Sequence, residues 1–246
     1  MKTYIRSFKL MMKWQLLSLK PVLPMALMFQ LFIAFAVVYG FGFMYPKIDP
    51  ISAKYIVTGV TTLALVTLGL VMVPQNIAQM KTNKTFDYLW SLPISRLIFP
   101  LTDFLLWSIV VLPGVIITLL LGSLRYGFSL SISPLIVPSF LLVALTAVAV
   151  GLTIAHLSPS PILTGIISNI IVFSIFFFSP INFPAERLPD ALSYIHKVLP
   201  LMYMADLVRG TVTTNISGNL NTAFLVVGGW CIASFLALSR VLSRQM

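Results

Sequence analysis

Sixty consecutive residues, Tyr126 to Ala185, contain no Asp, Glu, Lys or Arg. Two further runs, Tyr55 to Met80 and Phe104 to Leu124, are also free of charge. Average soluble domains carry roughly 25% charged residues; here the figure is 9%, against 59% hydrophobic. So few charges cannot cover a water-facing surface, and the chain reads as an all-α, polytopic membrane protein. A helix crossing the hydrocarbon core needs about 20 residues, so the sixty-residue run must hold two. Its strong break is His156-Leu157-Ser158-Pro159-Ser160-Pro161. Spans are expected at Val22–Tyr45, Tyr55–Met80, Phe104–Leu124, Ser133–Leu157, Ile162–Phe178 and Thr222–Leu238. Pro74, Gln75 and Asn76 interrupt the far end of the second, and Pro113 kinks the third. Ala147, Gly151 and Ala155 give the fourth a small-residue face for close packing. No internal repeat is visible, and residues 1–246 read as a single transmembrane domain.

Residues 1–20 form an amphipathic helix. Advancing ~100° per residue, Lys2, Arg6, Lys9, Lys13 and Lys20 fall within a sector of roughly 60°. Tyr4, Ile5, Phe8, Met11, Met12, Leu16 and Leu19 occupy much of the other half. This suits a helix in the membrane interface, with cations toward anionic headgroups of the lipid bilayer. Five cations over twenty residues make an n-region too long for a simple signal peptide.

Six spans place both termini on one side with the segment 81–99. That side sums to +8 and the opposite side to +2, so the positive-inside bias makes both termini cytoplasmic. Loop asymmetry thus accounts for the net charge of +10, and nucleic acid is not an expected partner. Cys231 is the only cysteine and forms no disulfide within the chain.

Two segments outside the spans carry pattern. Residues 81–99, KTNKTFDYLWSLPISRLIF, are basic and aromatic. Phe86, Leu89, Trp90 and Pro93 fall at i, i+3, i+4 and i+7, one apolar stripe on a short helix. Thr82, Asn83 or Thr85 can cap it, Asp87 suits its first turn, and Pro93 stops it. Residues 179–221 are amphipathic and rich in proline, with Leu188, Leu192 and Ile195 aligned.

The chain has no GxxxxGK[ST] phosphate loop, no HExxH and no CxxC, so no catalytic, metal or cofactor-binding residue is expected. His156 and His196 fall on opposite sides as loop histidines. Asp103 sits at a span edge, pairing with Arg96 or standing as a boundary charge. Gln30 and Asn169 are the polar residues inside spans, serving either cargo or interhelical hydrogen bonds. Such an apolar lining suits hydrophobic or amphipathic cargo moved by an external energy source.

Thr85, Asp87, Leu89 and Pro93-Ile94-Ser95-Arg96 resemble the cytoplasmic coupling segment of type-two ABC exporter permeases, with Lys84 where that family usually has Gly. Phe183-Pro184, Leu188-Pro189, Pro200, Tyr203, Asp206 and Arg209-Gly210 resemble the family's re-entrant helical segment before the last span. The resemblance implies a permease half of an ATP-driven exporter, of the drug and antibiotic-efflux branch, in a bacterial plasma membrane. It implies two ATP-binding subunits docking on Thr85, Phe86, Asp87, Leu89, Trp90, Pro93 and Arg96, with ATP and Mg held by those partners. A second permease half, identical or related, completes the pathway. The alternatives are a polysaccharide or teichoic-acid exporter and a non-transporting membrane anchor or assembly factor.

Overall fold

In the computed structural model, residues 2–21, 23–44, 48–91, 98–184, 188–213 and 218–244 are described, and no strand occurs among them. The helices are α1 (Lys2–Leu19), α2 (Leu23–Met44), α3 (Pro50–Thr67), α4 (Val73–Thr82), α5 (Thr85–Ser91) and α6 (Ile98–Tyr126). They continue with α7 (Ile136–Leu157), α8 (Pro161–Phe178), α9 (Asp190–Val198), α10 (Pro200–Val212) and α11 (Leu220–Arg244). Six stretches are long and apolar enough to cross a membrane: Leu23–Gly40, Pro50–Thr82, Leu101–Tyr126, Ile136–Leu157, Pro161–Phe178 and Leu220–Val241. They coincide with the six expected spans.

The second span starts five residues before the expected Tyr55 because Asp49 caps it. The Asp49 carboxylate accepts from the Ser52 N–H at 3.0 Å, and Pro50 opens the helix. The interruption expected at Pro74 is a local widening of a helix that continues through it. One π-helical turn, Leu68–Met72, joins α3 to α4. Pro74 has no N–H to donate, and the helix widens so that the Val73 N–H reaches Leu68 O, five residues back.

That widened turn meets the small face of α7. With Val73 committed to Leu68 and Pro74 lacking a hydrogen, the Gly69 carbonyl loses its helical donor. It points instead at Gly151: a Cβ built there would lie 1.9 Å from Gly69 O. A Cβ on Gly69 would in turn meet the Ala147 backbone at 2.4 Å. The small spacing in α7 therefore lets two backbones touch. Around this contact α7 also packs on α3, α4, α10 and α11. Over its most apolar 18 residues the Pro50–Thr82 span is 83% buried, whereas the spans of α2 and α8 are 12% and 17% buried over theirs. The second span is the axis, and α2 and α8 are the outer staves.

The N-terminal helix forms as expected, but one of its faces is already taken. Phe8, Met11 and Gln15 turn toward the protein, where α1 packs on α6. Tyr4, Ile5 and Leu16, placed with them in the apolar half, remain exposed.

Gly151→Ala should cost about 1–3 kcal/mol, because its methyl drives into backbone rather than a yielding side chain. Gly40→Ala on α2, with nothing within 4 Å, should be neutral. Thermal melting of the two purified variants checks this, and equal melting points would refute the close backbone contact.

Candidate functional site

The basic aromatic segment folds as α5, packed on α4. Between them Lys84 adopts φ 56°, in the left-handed region. This is the position where the resembled family carries Gly, and the backbone explains the preference: the reversal from α4 into α5 needs a positive φ, which a Cβ resists. Thr85 begins α5. Leu89, expected to face a partner, is only 5% exposed and belongs to the chain's own core. Among the described side chains of this helix the exposed aromatic is Tyr88, at 65%, which the stripe reading passed over. The side chains of Phe86, Asp87 and Trp90, and all of residues 92–97 with Pro93 and Arg96, lie outside the described residues.

Past the segment, α6 starts buried at Ile98 and Phe99, and the Thr102 hydroxyl donates back to the carbonyls of both. Asp103 is not a boundary charge. It is 2% exposed inside α6, and its Oδ1 accepts from Asn76 Nδ2 of α4 at 3.3 Å. On the other side, Lys81 Nζ donates to the Ala155 carbonyl at the end of α7, at 2.9 Å. Both flanks of α5 are thereby moored to the transmembrane bundle. His156, expected in a loop, lies in the last turn of α7 and is 7% exposed.

Beside this end a groove of about 570 Å³ runs between α4 and α8. Gln75 and Gln79 line it from α4; Gly165, Ile166, Asn169, Ile170 and Phe173 are among its α8 residues. No charged residue lines it. Asn169 donates to Gly165 O at 2.8 Å, which holds its exposed amide along the groove wall.

Gln30, paired with Asn169 in the sequence reading, goes elsewhere. Its Nε2 donates to Val110 O at 3.0 Å, and its Oε1 accepts from the Gly114 N–H at 3.2 Å. Those two groups lie one helical turn apart on either side of Pro113, and the Gln30 amide bonds to both. A Cβ on Gly114 would sit 2.5 Å from Gln30 Oε1, so the glycine makes room for that amide. Gln30 makes interhelical hydrogen bonds between α2 and α6.

The opposite end carries α9 and α10, each too short to span. Arg209 is 1% exposed and fully engaged. Its Nη1 reaches Asp206 Oδ1 at 2.9 Å, Nη2 reaches Ile181 O at 2.7 Å, and Nε reaches Thr58 Oγ1 at 3.3 Å. Its Cζ stands 3.9 Å from the centroid of the Tyr55 ring. One side chain thus ties α10 to α3 and to the turn after α8. Gly59 lets that turn approach, since a Cβ there would meet Asn182 Oδ1 at 2.2 Å. Tyr203 donates to Lys197 O, and Trp230 of α11 donates to Val198 O, each at 3.0 Å. Together they satisfy the last carbonyls of α9.

The remaining residues singled out here are structural. Phe183 and Pro184 sit half-buried in the connection after α8, next to Asn182. Leu188 is half-buried, Pro189 caps α9, Pro200 is buried at the start of α10, and Gly210 follows Arg209 within it. His196, expected in a loop, is on α9 and 6% exposed. Burial holds its imidazole below the usual range, opposed by a bond to the Phe178 carbonyl. Among the described residues no three His, Cys, Asp or Glu stand together to hold a metal.

Lys84→Gly should stabilise the protein by up to about 1 kcal/mol, by relieving left-handed strain. A raised melting temperature of the purified variant checks this. A lowered one would contradict the strain.

No curated protein matches the chain in sequence. A family profile described as ABC-2 type transporter matches residues 6–213, which runs from α1 through the end of α10. The match takes in five of the six membrane-length helices found among the described residues, most of the chain rather than one motif, and the protein belongs to the ABC-2 type transporter family, as the membrane-spanning permease subunit of an ABC transporter.

Proposed function

We propose that the chain is one membrane half of an ATP-driven exporter for hydrophobic or amphipathic molecules. The observation that carries this reading is the continuity of α4. The same helix presents Gln75 and Gln79 to an uncharged groove and, one turn later, leads into α5 with its exposed Tyr88. A push on α5 is therefore a push on a groove wall. Apolar walls with a few amide groups fit a cargo that is largely greasy and carries hydrogen-bonding groups; this supports a drug, an antimicrobial peptide or a lipid-like molecule over a polysaccharide.

In this reading two ATP-binding subunits, holding ATP and Mg, dock on α5 and the neighbouring helix ends, with Thr85, Phe86, Asp87, Trp90, Pro93 and Arg96 at or near the contact. Leu89 anchors α5 from inside and Tyr88 faces the partner. A second half, identical or related, closes the groove. The +8 against +2 distribution of charge supports cytoplasmic termini in a bacterial plasma membrane. The clamped α9–α10 pair then lies at the outer face as the re-entrant segment.

The purified chain alone should hydrolyse no ATP, while the chain isolated with its native partners should retain an ATPase. Inverted membrane vesicles carrying that complex should take up an amphipathic fluorescent dye only when ATP is supplied. A native complex without an ATPase would overturn the exporter reading in favour of a membrane anchor.

A further inference from the structure

We infer that Lys81 is the positioning residue that passes movement of α5 to the start of α8, and so to the groove. The inference rests on the exporter reading above. It begins with a carbonyl that the sequence itself leaves without a partner. In an α-helix the Ala155 carbonyl accepts from residue 159, and residue 159 is proline, which has no N–H. The neighbouring carbonyl of Ile154 is satisfied by the Ser158 N–H at 2.9 Å. The Ala155 oxygen is instead met by Lys81 Nζ at 2.9 Å, across 74 residues of sequence. The bond is charge-assisted, and it places a cation at the negative end of the α7 dipole.

Its position gives it a mechanical role. Lys81 is in the last turn of α4, four residues before α5 begins. Ala155 is in the last turn of α7, and only Ser158, Pro159 and Ser160 separate α7 from α8. That connection is stiff. Pro159 fixes its own φ, Ser160 Oγ accepts from the Leu163 N–H at 3.3 Å, and Pro161 opens α8. Displacing the end of α7 therefore displaces the start of α8. The α8 face beginning at Pro161 and Ile162 lines the groove. An ammonium is also a suitable hinge pin, because its three donors rotate without losing the acceptor.

The test uses the complex with its native ATP-binding subunits, in a Cys231→Ser background. Reporter cysteines are introduced singly at Ser91 on α5, which is exposed, and at Leu163 on α8, which is 43% exposed and outside the groove lining. The rate of labelling by a small maleimide is measured with and without trapping by ATP and vanadate. With Lys81 present, both sites should change rate on trapping. In Lys81→Met the Ser91 site should still respond while the Leu163 response is lost, at an unchanged melting temperature, and Lys81→Arg should restore it. Lys81→Gln, whose shorter uncharged amide cannot reproduce the charge-assisted bond to Ala155 O, should weaken the Leu163 response in the same direction. A full Leu163 response in Lys81→Met, or in Lys81→Gln should the first variant fail to fold, overturns the inference while leaving the exporter reading intact. No response at Ser91 with Lys81 present overturns both.

Discussion

Backbone carbonyls that have lost their helical donor organise this protein. In hydrocarbon there is no water to satisfy them, so each must be met from within the chain. Proline creates most of the need. Pro74 frees Gly69 O, which is turned onto Gly151; Pro159 leaves Ala155 O without a helical donor, and Lys81 reaches it; the Gln30 amide bonds Val110 O and the Gly114 N–H on either side of Pro113. Helix ends create the rest. The Ser131 and Ser133 N–H groups cover Val212 O and Thr211 O at the end of α10, while Tyr203 and Trp230 cover the end of α9. Arg209 meets Ile181 O in the turn after α8. Nearly every one of these bonds joins two elements distant in sequence. The prolines that break regular hydrogen bonding are thus where the bundle is stitched together.

The same constraint separates what the sequence disclosed from what it hid. Span positions were legible because they depend on local composition: a run of apolar residues either exceeds the thickness of the hydrocarbon or does not. The break at His156–Pro161 was legible for the same reason. The left-handed Lys84 was foreshadowed by the glycine that the resembled family carries there. Roles that depend on which distant helix lies opposite were not legible. Gln30 and Asn169 look alike as lone amides in apolar helices, yet one bonds α2 to α6 and the other lines a groove. Leu89 and Tyr88 differ by one position, and α5 packing on α4 decides which of them turns inward. Arg209 was marked by resemblance, but its acceptors on α3 and after α8 follow only from the three-dimensional packing.

The arrangement also says how a permease of this family can be firm at one end and movable at the other. Around Arg209 a buried ion pair, a stacked aromatic ring and three hydrogen-bonded partners lock α10, α3 and the turn after α8 together. Breaking such a buried set costs several kcal/mol once one member is left unpaired, so this end is a fixed reference. At the α5 end the polar ties include Asn76 to Asp103 and Lys81 to Ala155, and each net hydrogen bond is worth only about 1 kcal/mol. Motion introduced there costs little and is not absorbed at the far end.

The central claim is that α5 is the surface on which an ATP-binding subunit acts. A photo-activatable amino acid replacing Tyr88 in native membranes tests it most directly, because Tyr88 is the exposed aromatic among the described side chains of α5. The account predicts one dominant covalent adduct, to an ATP-binding protein, with a yield that changes when ATP is added. Adducts to lipid alone, with a functional transporter in the same membranes, would contradict it.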